Sequence, residues 1–414
     1  MSTPNTSAIP ASVYRQPGFL PFLISRVLAM FAVQILAVVV AWQVYDMTRD
    51  PLSLAYVGLA QFLPMLLLLM PAGDLIDRYD RKRILSLSWA LEAACAAALL
   101  WLSVSGGAVT SFYLVLVFYG CARAFTGPAL SSLLPQIVPR EKLAAAIAAN
   151  SMIVRGSTIA GPVFGGGLYA LGGGGLTYAA CLLFFLAGIL LLRRVPVLYA
   201  EKMQALEATA WRRFTAGIRF IRSRPIILGT ISLDLFAVLL GGVIALLPIY
   251  AQEVLEVGPT GLGALRSAMA LGEVLVGFYL STRPFNRRVG MTMFIAVAIF
   301  GVANLVFALS SLFWLSFAAL FVAGGADMVS VYIRSSLVQF STPDAMRGRV
   351  NAVNMLFIGS SNELGEFRAG TSAAWFGTVP AAVIGGLCTL GVTGGWMLAF
   401  KSLRRVDRFE DAAP

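Results

Sequence analysis

The sequence predicts an all-α integral membrane protein, with twelve spanning helices arranged as two parallel six-helix repeats and both termini in the cytoplasm. Three observations predict it. The 414-residue chain is 58% hydrophobic and only 12% charged, with a mean hydropathy of +0.82, a balance that in water would demand an implausibly large core. Apolar windows of the length a bilayer requires, roughly 20 residues, follow one another through nearly the whole chain. One ungapped offset of 204 residues also superimposes the first half on the second.

The windows fall at 19–45, 52–72, 84–105, 109–133, 142–171 and 176–194, then at 226–251, 259–281, 290–310, 312–338, 349–372 and 377–400. Residues 1–18 are polar and form a cytoplasmic tail. The apolar run after them is too long for a signal-peptide core, so it is retained as the first span. Between spans two and three, Gly73-Asp74-Leu75-Ile76-Asp77-Arg78-Tyr79-Asp80-Arg81-Lys82-Arg83 puts acids and bases in a short turn. Span four holds Arg123, and span five a glycine-rich run around Pro162. Residues 195–225 break the apolar pattern with Arg212, Arg213, Arg219, Arg222 and Arg224, closing at Pro225. They form the linker between six-helix bundles at 19–194 and 226–400, and residues 401–414 form a second cytoplasmic tail.

The offset aligns Gly73 with Gly277, Gly120 with Gly324, Ser131-Ser132-Leu133 with Ser335-Ser336-Leu337, Pro139 with Pro343, Asn150 with Asn354, Gly161 with Gly365 and Gly166 with Gly370. Glycine and leucine coincidences are cheap in this composition, so Ser-Ser-Leu, Pro and Asn carry the weight. Lys and Arg crowd the N-terminus, the even-numbered loops and the C-terminus, whereas the odd-numbered loops hold only Arg49. By the positive-inside rule both termini are therefore cytoplasmic. The net charge of +11 reads as topology and attraction to anionic lipid, not nucleic-acid binding. Cys95, Cys121, Cys181 and Cys388 all fall inside spans, where free cysteine behaves as a small apolar residue. Histidine is absent, which excludes His-ligated metals and His-based triads. No cofactor is expected, and any proton chemistry must use carboxylates.

Three motifs make the chain resemble the major facilitator superfamily, in which substrate sits between two halves near the midplane. The segment from Gly73 to Arg83 resembles the superfamily's loop motif. The resemblance puts Gly73 at a close helix approach and makes Asp77 an acid that caps the amino end of helix eleven and latches the cytoplasmic side. Arg78, Arg81, Lys82 and Arg83 are its basic cluster. Such a cap contributes roughly 0.3–1 kcal/mol, enough to bias a near-balanced equilibrium. A loop that only fixes topology is the alternative. The copy at Gly277 keeps the glycine and Arg287 but has lost all three aspartates.

Arg123-Ala124-Phe125-Thr126-Gly127 resembles the superfamily's Arg-x-x-Gln-Gly motif, with Thr126 in place of the amide, and the resemblance assigns Arg123 to proton coupling. Arg123 lies about 15 Å from the cytoplasmic end at ~1.5 Å per residue, too deep to snorkel, so it needs a cavity or a partner. Its repeat mate is Asp327; a static ion pair is the alternative. Gly156, Gly161, Pro162, Gly165 and Gly166 in span five resemble the antiporter motif found chiefly in exporters, with close helix packing as the other reading. Arg26, the stretch from Asp77 to Lys82, and Thr342 to Asn351 are similar to the branch that holds enterobactin and drug exporters. Many proton-coupled exporters have an acid in mid helix one, and here that stretch is Phe31-Ala32-Val33-Gln34, so either the coupling acid lies elsewhere or transport is not proton-coupled.

Acids within the spans are Glu92, Asp234, Glu273, Asp327, Glu363 and Glu366, each expensive in hydrocarbon. A carboxyl exposed alternately to the two sides can load and release a proton. Asp327 is the first choice, because the resemblance places helices one, four, seven and ten around the central cavity, and Asp234 is the second. Glu363 and Glu366 share a face, and Arg368 beside them offers a structural cluster instead. Glu92 and Glu273 read as peripheral pairs, and Arg334 as a snorkelling base. Gln34, Tyr119, Phe236, Phe321 and Tyr332 fall on cavity helices, as do Trp42 and Tyr250; ordinary packing is the alternative for each.

The expected function is proton-driven export of an amphiphilic small molecule, a siderophore or drug-like compound, by alternating access. The protein is expected to act as a monomer in the bacterial inner membrane, with substrate, protons and membrane lipid as its partners. A carrier of lysophospholipid or another solute, or an uptake symporter, on the same fold is the alternative within transport. A non-transporting scaffold or sensor is the alternative of another class. No metal, nucleophile-base or phosphate-loop constellation points to an enzyme.

Overall fold

The computed structural model describes residues 13–199 and 210–412, with the side chains of residues 77, 210–213 and 344–345 outside that set. Among the described residues every regular element is helical. In order they are α1 (Phe19–Thr48), α2 (Pro51–Arg78), α3 (Arg81–Ser105), α4 (Val109–Ile137), α5 (Leu143–Arg193), α6 (Ala210–Ser223), α7 (Pro225–Gly241), α8 (Leu247–Ile249), α9 (Gly258–Thr282), α10 (Val289–Leu309), α11 (Phe313–Phe340), α12 (Asp344–Phe376), α13 (Thr378–Ala399) and α14 (Lys401–Arg404). Among the described residues ten helical stretches are long and apolar enough to cross a membrane. The 33-residue α12 is not among them, because Arg347, Arg349, Glu363, Glu366 and Arg368 interrupt its apolar run.

Two helices break where the sequence demands it. At ~1.5 Å per residue the 51 residues of α5 would be more than twice as long as a bilayer core of about 30 Å. The backbone leaves helical geometry at Gly172 and at Gly173, whose φ of 61° and ψ of −160° suit only glycine. The span opened by α7 breaks after Gly241-Gly242 and resumes as a 3-10 turn (Ile244–Leu246), α8 and a π turn (Tyr250–Val254). A break in hydrocarbon frees carbonyls that need donors. Arg368 of α12 supplies them, its Nε and Nη2 donating to Leu239 and Gly242 at 3.2 and 3.1 Å, and Asn304 Nδ2 donates to Gly241 at 3.2 Å. Arg368 is thus occupied with α7 and does not form the expected cluster with Glu363 and Glu366.

The motif from Gly73 to Arg83 is less of a loop than its composition suggests. Helix α2 runs through Arg78, and only Tyr79 and Asp80 separate it from α3, whose amino end Asp80 caps by accepting from Arg83 N at 3.0 Å. In the second half α9 likewise runs past Gly277 to Thr282. The cap lost there is replaced from the far end of the chain. Asp407 Oδ1 accepts from Arg288 N at 3.0 Å, while Val289 and Gly290 donate to the carbonyls of Asp407 and Val406. Phe409 packs among Phe285, Tyr332 and Phe340, so the described part of the expected 401–414 tail is docked beneath α10 and α11. Within the expected linker, α6 lies on α12, with Ile221 packed against Val350 and Val353.

Buried residues of α1 to α5 form one core around Phe22, Trp89, Phe112, Tyr178 and Phe185, and the second half has clusters of its own. A further cluster joins Trp42 and Tyr45 of α1 to α8, α9 and α11. The two sets of helices meet along glycine seams. A Cβ on Gly166 would strike the Pro259 carbonyl and one on Gly263 the Pro162 carbonyl, while Gly370 of α12 faces Ala55 of α2. Ser267 donates to the Ile159 carbonyl at 2.6 Å, and the Tyr45 hydroxyl donates to Glu253 Oε1 at 2.5 Å. These contacts lie toward the end opposite the basic loops. Toward the basic end a Cβ on Gly73, Gly127, Gly156, Gly348 or Gly359 would meet nothing within 4 Å, so no such seam forms at these glycines.

Candidate functional site

Below the seams, the helices bring a polar cluster to the middle of the molecule. Arg123 of α4 reaches across to Glu363 of α12 at 3.9 Å and to Gln61 of α2 at 3.5 Å. Arg155 of α5 pairs with Glu273 of α9 at 2.8 Å. Arg266 of α9 lies within electrostatic reach of Glu363 and Glu366, and Asp327 of α11 within reach of Glu273 and Arg155. The first half contributes bases to this cluster, and the second contributes all four carboxylates. Beside it lies a cavity of about 320 Å³ walled by α7, α9, α10, α11 and α12, on which Glu273, Asn304, Asp327, Asn362 and Glu366 converge among Val238, Met269 and Phe300.

The structure redistributes several roles expected from sequence. Arg123 and Asp327 occupy equivalent positions in the repeat but are not partners, since Arg123 is drawn to Glu363. Asp234, the second choice for coupling, is 6% exposed and forms a buried ion pair with Arg334, itself 4% exposed. Arg334 therefore does not snorkel, and Asp234 is consumed by a contact between α7 and α11. Glu92 is fully buried and accepts from Thr126 Oγ1 at 2.7 Å within the first half. Glu273, expected as a peripheral pair, belongs instead to the contact between the halves.

Gly73 has no neighbour within 4 Å of a Cβ, so the close helix approach expected of it is absent here. The side chain of Asp77 lies outside the described residues; Arg78 is exposed and Arg81 half-buried. In the glycine-rich run Gly156 faces open space, Gly161 lies on Gln34, Gly165 on Ile35, and Pro162 and Gly166 form the seam with α9. Among the residues expected to line a cavity, Gln34 is thus covered by α5 and Tyr119 is buried beside Arg123 and Glu92. Phe236 packs on Trp396, Phe321 presents its carbonyl to Gly272, and Tyr332 joins the Phe285 and Phe409 cluster. Asn304 is the residue the sequence reading passed over. A lone amide inside the apolar run 290–310 was its signal.

The model of the transmembrane secretion effector family matches residues 8–413. Relatives include enterobactin exporters from Citrobacter koseri, 26% identical over 400 residues, and from Escherichia coli O157:H7, 25% identical over 400 residues. Both alignments cover 94% of this chain and 93% of the relative. Among solved structures, a bacterial homologue of the human lysosomal transporter Spinster, inward-facing and unoccupied, aligns with a TM-score of 0.71 and 16% identity over 96% of this chain and 98% of that one. A bacterial homologue of the iron transporter ferroportin, inward-facing, aligns with a TM-score of 0.69 and 19% identity over 93% and 99%. At such identities the likeness speaks to the fold.

Proposed function

The chain belongs to the transmembrane secretion effector family and is a membrane transporter of the major facilitator type, and from that premise we propose that it exports an amphiphilic small molecule in exchange for protons by alternating access. With α5 counted as two spans and α12 as the eleventh, twelve helices form two bundles, 19–194 and 226–400, with both termini cytoplasmic in a bacterial inner membrane. The basic ends of the helices then face the cytoplasm, the glycine seams close the outer side, and the conformation is inward-facing. Siderophore-like cargo is the first substrate class to try, since the curated relatives are named for enterobactin export.

The observation that supports proton exchange most directly is the charge balance of the central cluster. Four carboxylates, Glu273, Asp327, Glu363 and Glu366, stand against three guanidiniums, Arg123, Arg155 and Arg266. One negative charge is left over among mostly half-buried side chains, and an uncompensated charge within the spans of a membrane protein is costly. Among the described residues neither Asp327 nor Glu366 makes an ion pair, and Asp327 is the one whose neighbouring base, Arg155, is already paired with Glu273. A proton is the smallest ion that can neutralise it. When the seams open toward the outer side, Arg123 and Arg155 separate from Glu363 and Glu273, so the charge state of the acids feeds into the balance between the two conformations.

The test uses everted membrane vesicles with an acidic lumen. Enterobactin should accumulate inside, a protonophore should abolish the accumulation, and Asp327→Asn should remove the gradient dependence. Accumulation that ignores the protonophore, or full coupling in Asp327→Asn, refutes the reading.

A further inference from the structure

Resting on the exporter reading, we propose that the cavity of the second half is a binding site for an organic cation, which takes the primary ammonium head of an amphiphilic substrate between Asp327, Glu273, Glu366 and Asn304. The acids alone would not establish this. Asn304 is 1% exposed and lines the cavity, and its Nδ2 donates to the Gly241 carbonyl, which fixes the orientation of the amide. Its Oδ1 is then a buried acceptor with no hydrogen-bond partner, and such an atom is costly unless a donor meets it. An ammonium group brings three N–H donors and one positive charge. The carboxylates and the Asn304 oxygen call for both: Arg155 and Arg123 are paired with Glu273 and Glu363, Arg266 faces Glu363 and Glu366, and Asn362 brings N–H donors but no charge.

Size and symmetry narrow the ligand. A cavity of about 320 Å³ is at the small end of ligand sites, room for a head group while the apolar remainder lies in the space between the halves. Among the described residues no group of three acids, cysteines or histidines is arranged to hold a metal ion. Shifting by 204 residues puts Leu69, Leu100, Arg123 and Pro162 where Glu273, Asn304, Asp327 and Glu366 stand. The equivalent positions of the first half therefore carry neither these acids nor this amide, and the cation preference belongs to the second half alone. Proton and ammonium would compete for Asp327, and that competition would itself be the exchange.

The experiment is calorimetric titration of the full-length protein in lipid nanodiscs with phenethylammonium, against 2-phenylethanol as neutral isostere and phenylacetate as anion. Phenethylammonium should bind with release of protons into weak buffer and more weakly as pH falls, and the other two should not bind. Asp327→Asn should lower its affinity by about tenfold or more, the loss of one charge-assisted contact. Asn304→Leu should act in the same direction; if that variant does not fold, isosteric Asp327→Asn decides alone. Equal binding of alcohol and amine, indifference to Asp327→Asn, or displacement of the amine by sodium at equal concentration overturns the assignment. Protonophore-sensitive export of enterobactin without amine binding would reject the cation site and leave proton exchange standing; amine binding without gradient-driven transport would do the reverse.

Discussion

Replacing Tyr45 by Phe removes one hydroxyl and should move the whole molecule. Tyr45 belongs to the first half and Glu253 to the π turn of the second, so their 2.5 Å hydrogen bond exists only while the seam end is closed. A neutral donor on a carboxylate contributes about 1.5–3 kcal/mol when desolvated. Glu253 is exposed, and solvent screening brings the figure down to about 1 kcal/mol. On the proposed alternating-access reading the open conformation lacks this bond, so its loss falls on the closed one alone, and the ratio of the two should shift about fivefold. The apolar part of the ring stays in its pocket in the Phe variant, so packing is nearly unchanged.

The assay is pulsed dipolar spectroscopy on spin labels at Ser131→Cys in α4 and Gly348→Cys in α12, both toward the basic end, with the four native cysteines replaced. The parent should give mainly the long distance of separated helices, and Tyr45→Phe should raise the short-distance population about fivefold. Glu253→Gln should shift it in the same direction by less, since an amide still accepts from the phenol. An unchanged distribution in Tyr45→Phe would refute the claim that this contact belongs to one conformation only.

Gly263→Val drives a side chain into the Pro162 carbonyl and should also populate the short distance, whereas Gly156→Ala, at a glycine of the same seam helix that faces open space, should leave the distribution as it was. Arg334→Met strands Asp234 in a buried site and should cost about 3–5 kcal/mol, read as a lower midpoint of thermal unfolding; adding Asp234→Leu should restore most of it, and failure to do so would mean the pair is not the source. Asp407→Ala removes the borrowed cap on α10 and should cost about 0.5–2 kcal/mol, with faster proteolysis after residue 400 as the sensitive readout.

The spans were legible because a bilayer sets helix length independently of tertiary detail. The partners were not. Offset arithmetic made Arg123 and Asp327 mates, but residues related by a repeat occupy equivalent places in two bundles, and equivalence is not contact. Which base meets which acid depends on helix rotation and tilt, so Glu363 rather than Asp327 meets Arg123, and Arg334 turns inward to Asp234. Asn304 was visible as a lone amide in an apolar run, yet its task, satisfying a carbonyl freed at Gly241, exists only once α7 is known to break. The Gly73 motif reads as a loop because its charges suggest one, while the cap at Asp80 shows how few residues that turn needs. The conformation leaves no trace in sequence, because one pattern of small and polar residues must serve both states.

The division of charge between the halves gives the duplication its direction. Repeats that both kept Arg at position 123 and its equivalent would repel across the interface, and repeats that both kept acids would need two counter-ions. With Arg123 and Arg155 in one half and Glu273 and Glu363 in the other, these two pairs favour closure while the acids are ionised. Both pairs are partly exposed, so each resists opening by no more than a surface-like amount, and neither locks the molecule. Asp327 sits on the wall of a cavity whose Glu273 and Asn304 have leucines, Leu69 and Leu100, at the equivalent sequence positions of the first half. What neutralises Asp327 is then felt by Glu273 beside it, and through Glu273 by Arg155 on the other half. Asp327→Asn combined with Tyr45→Phe should accordingly give less than the sum of their separate shifts in the label distance if both act on the same closure, and a strictly additive result would mean that the cavity and the seam are not connected.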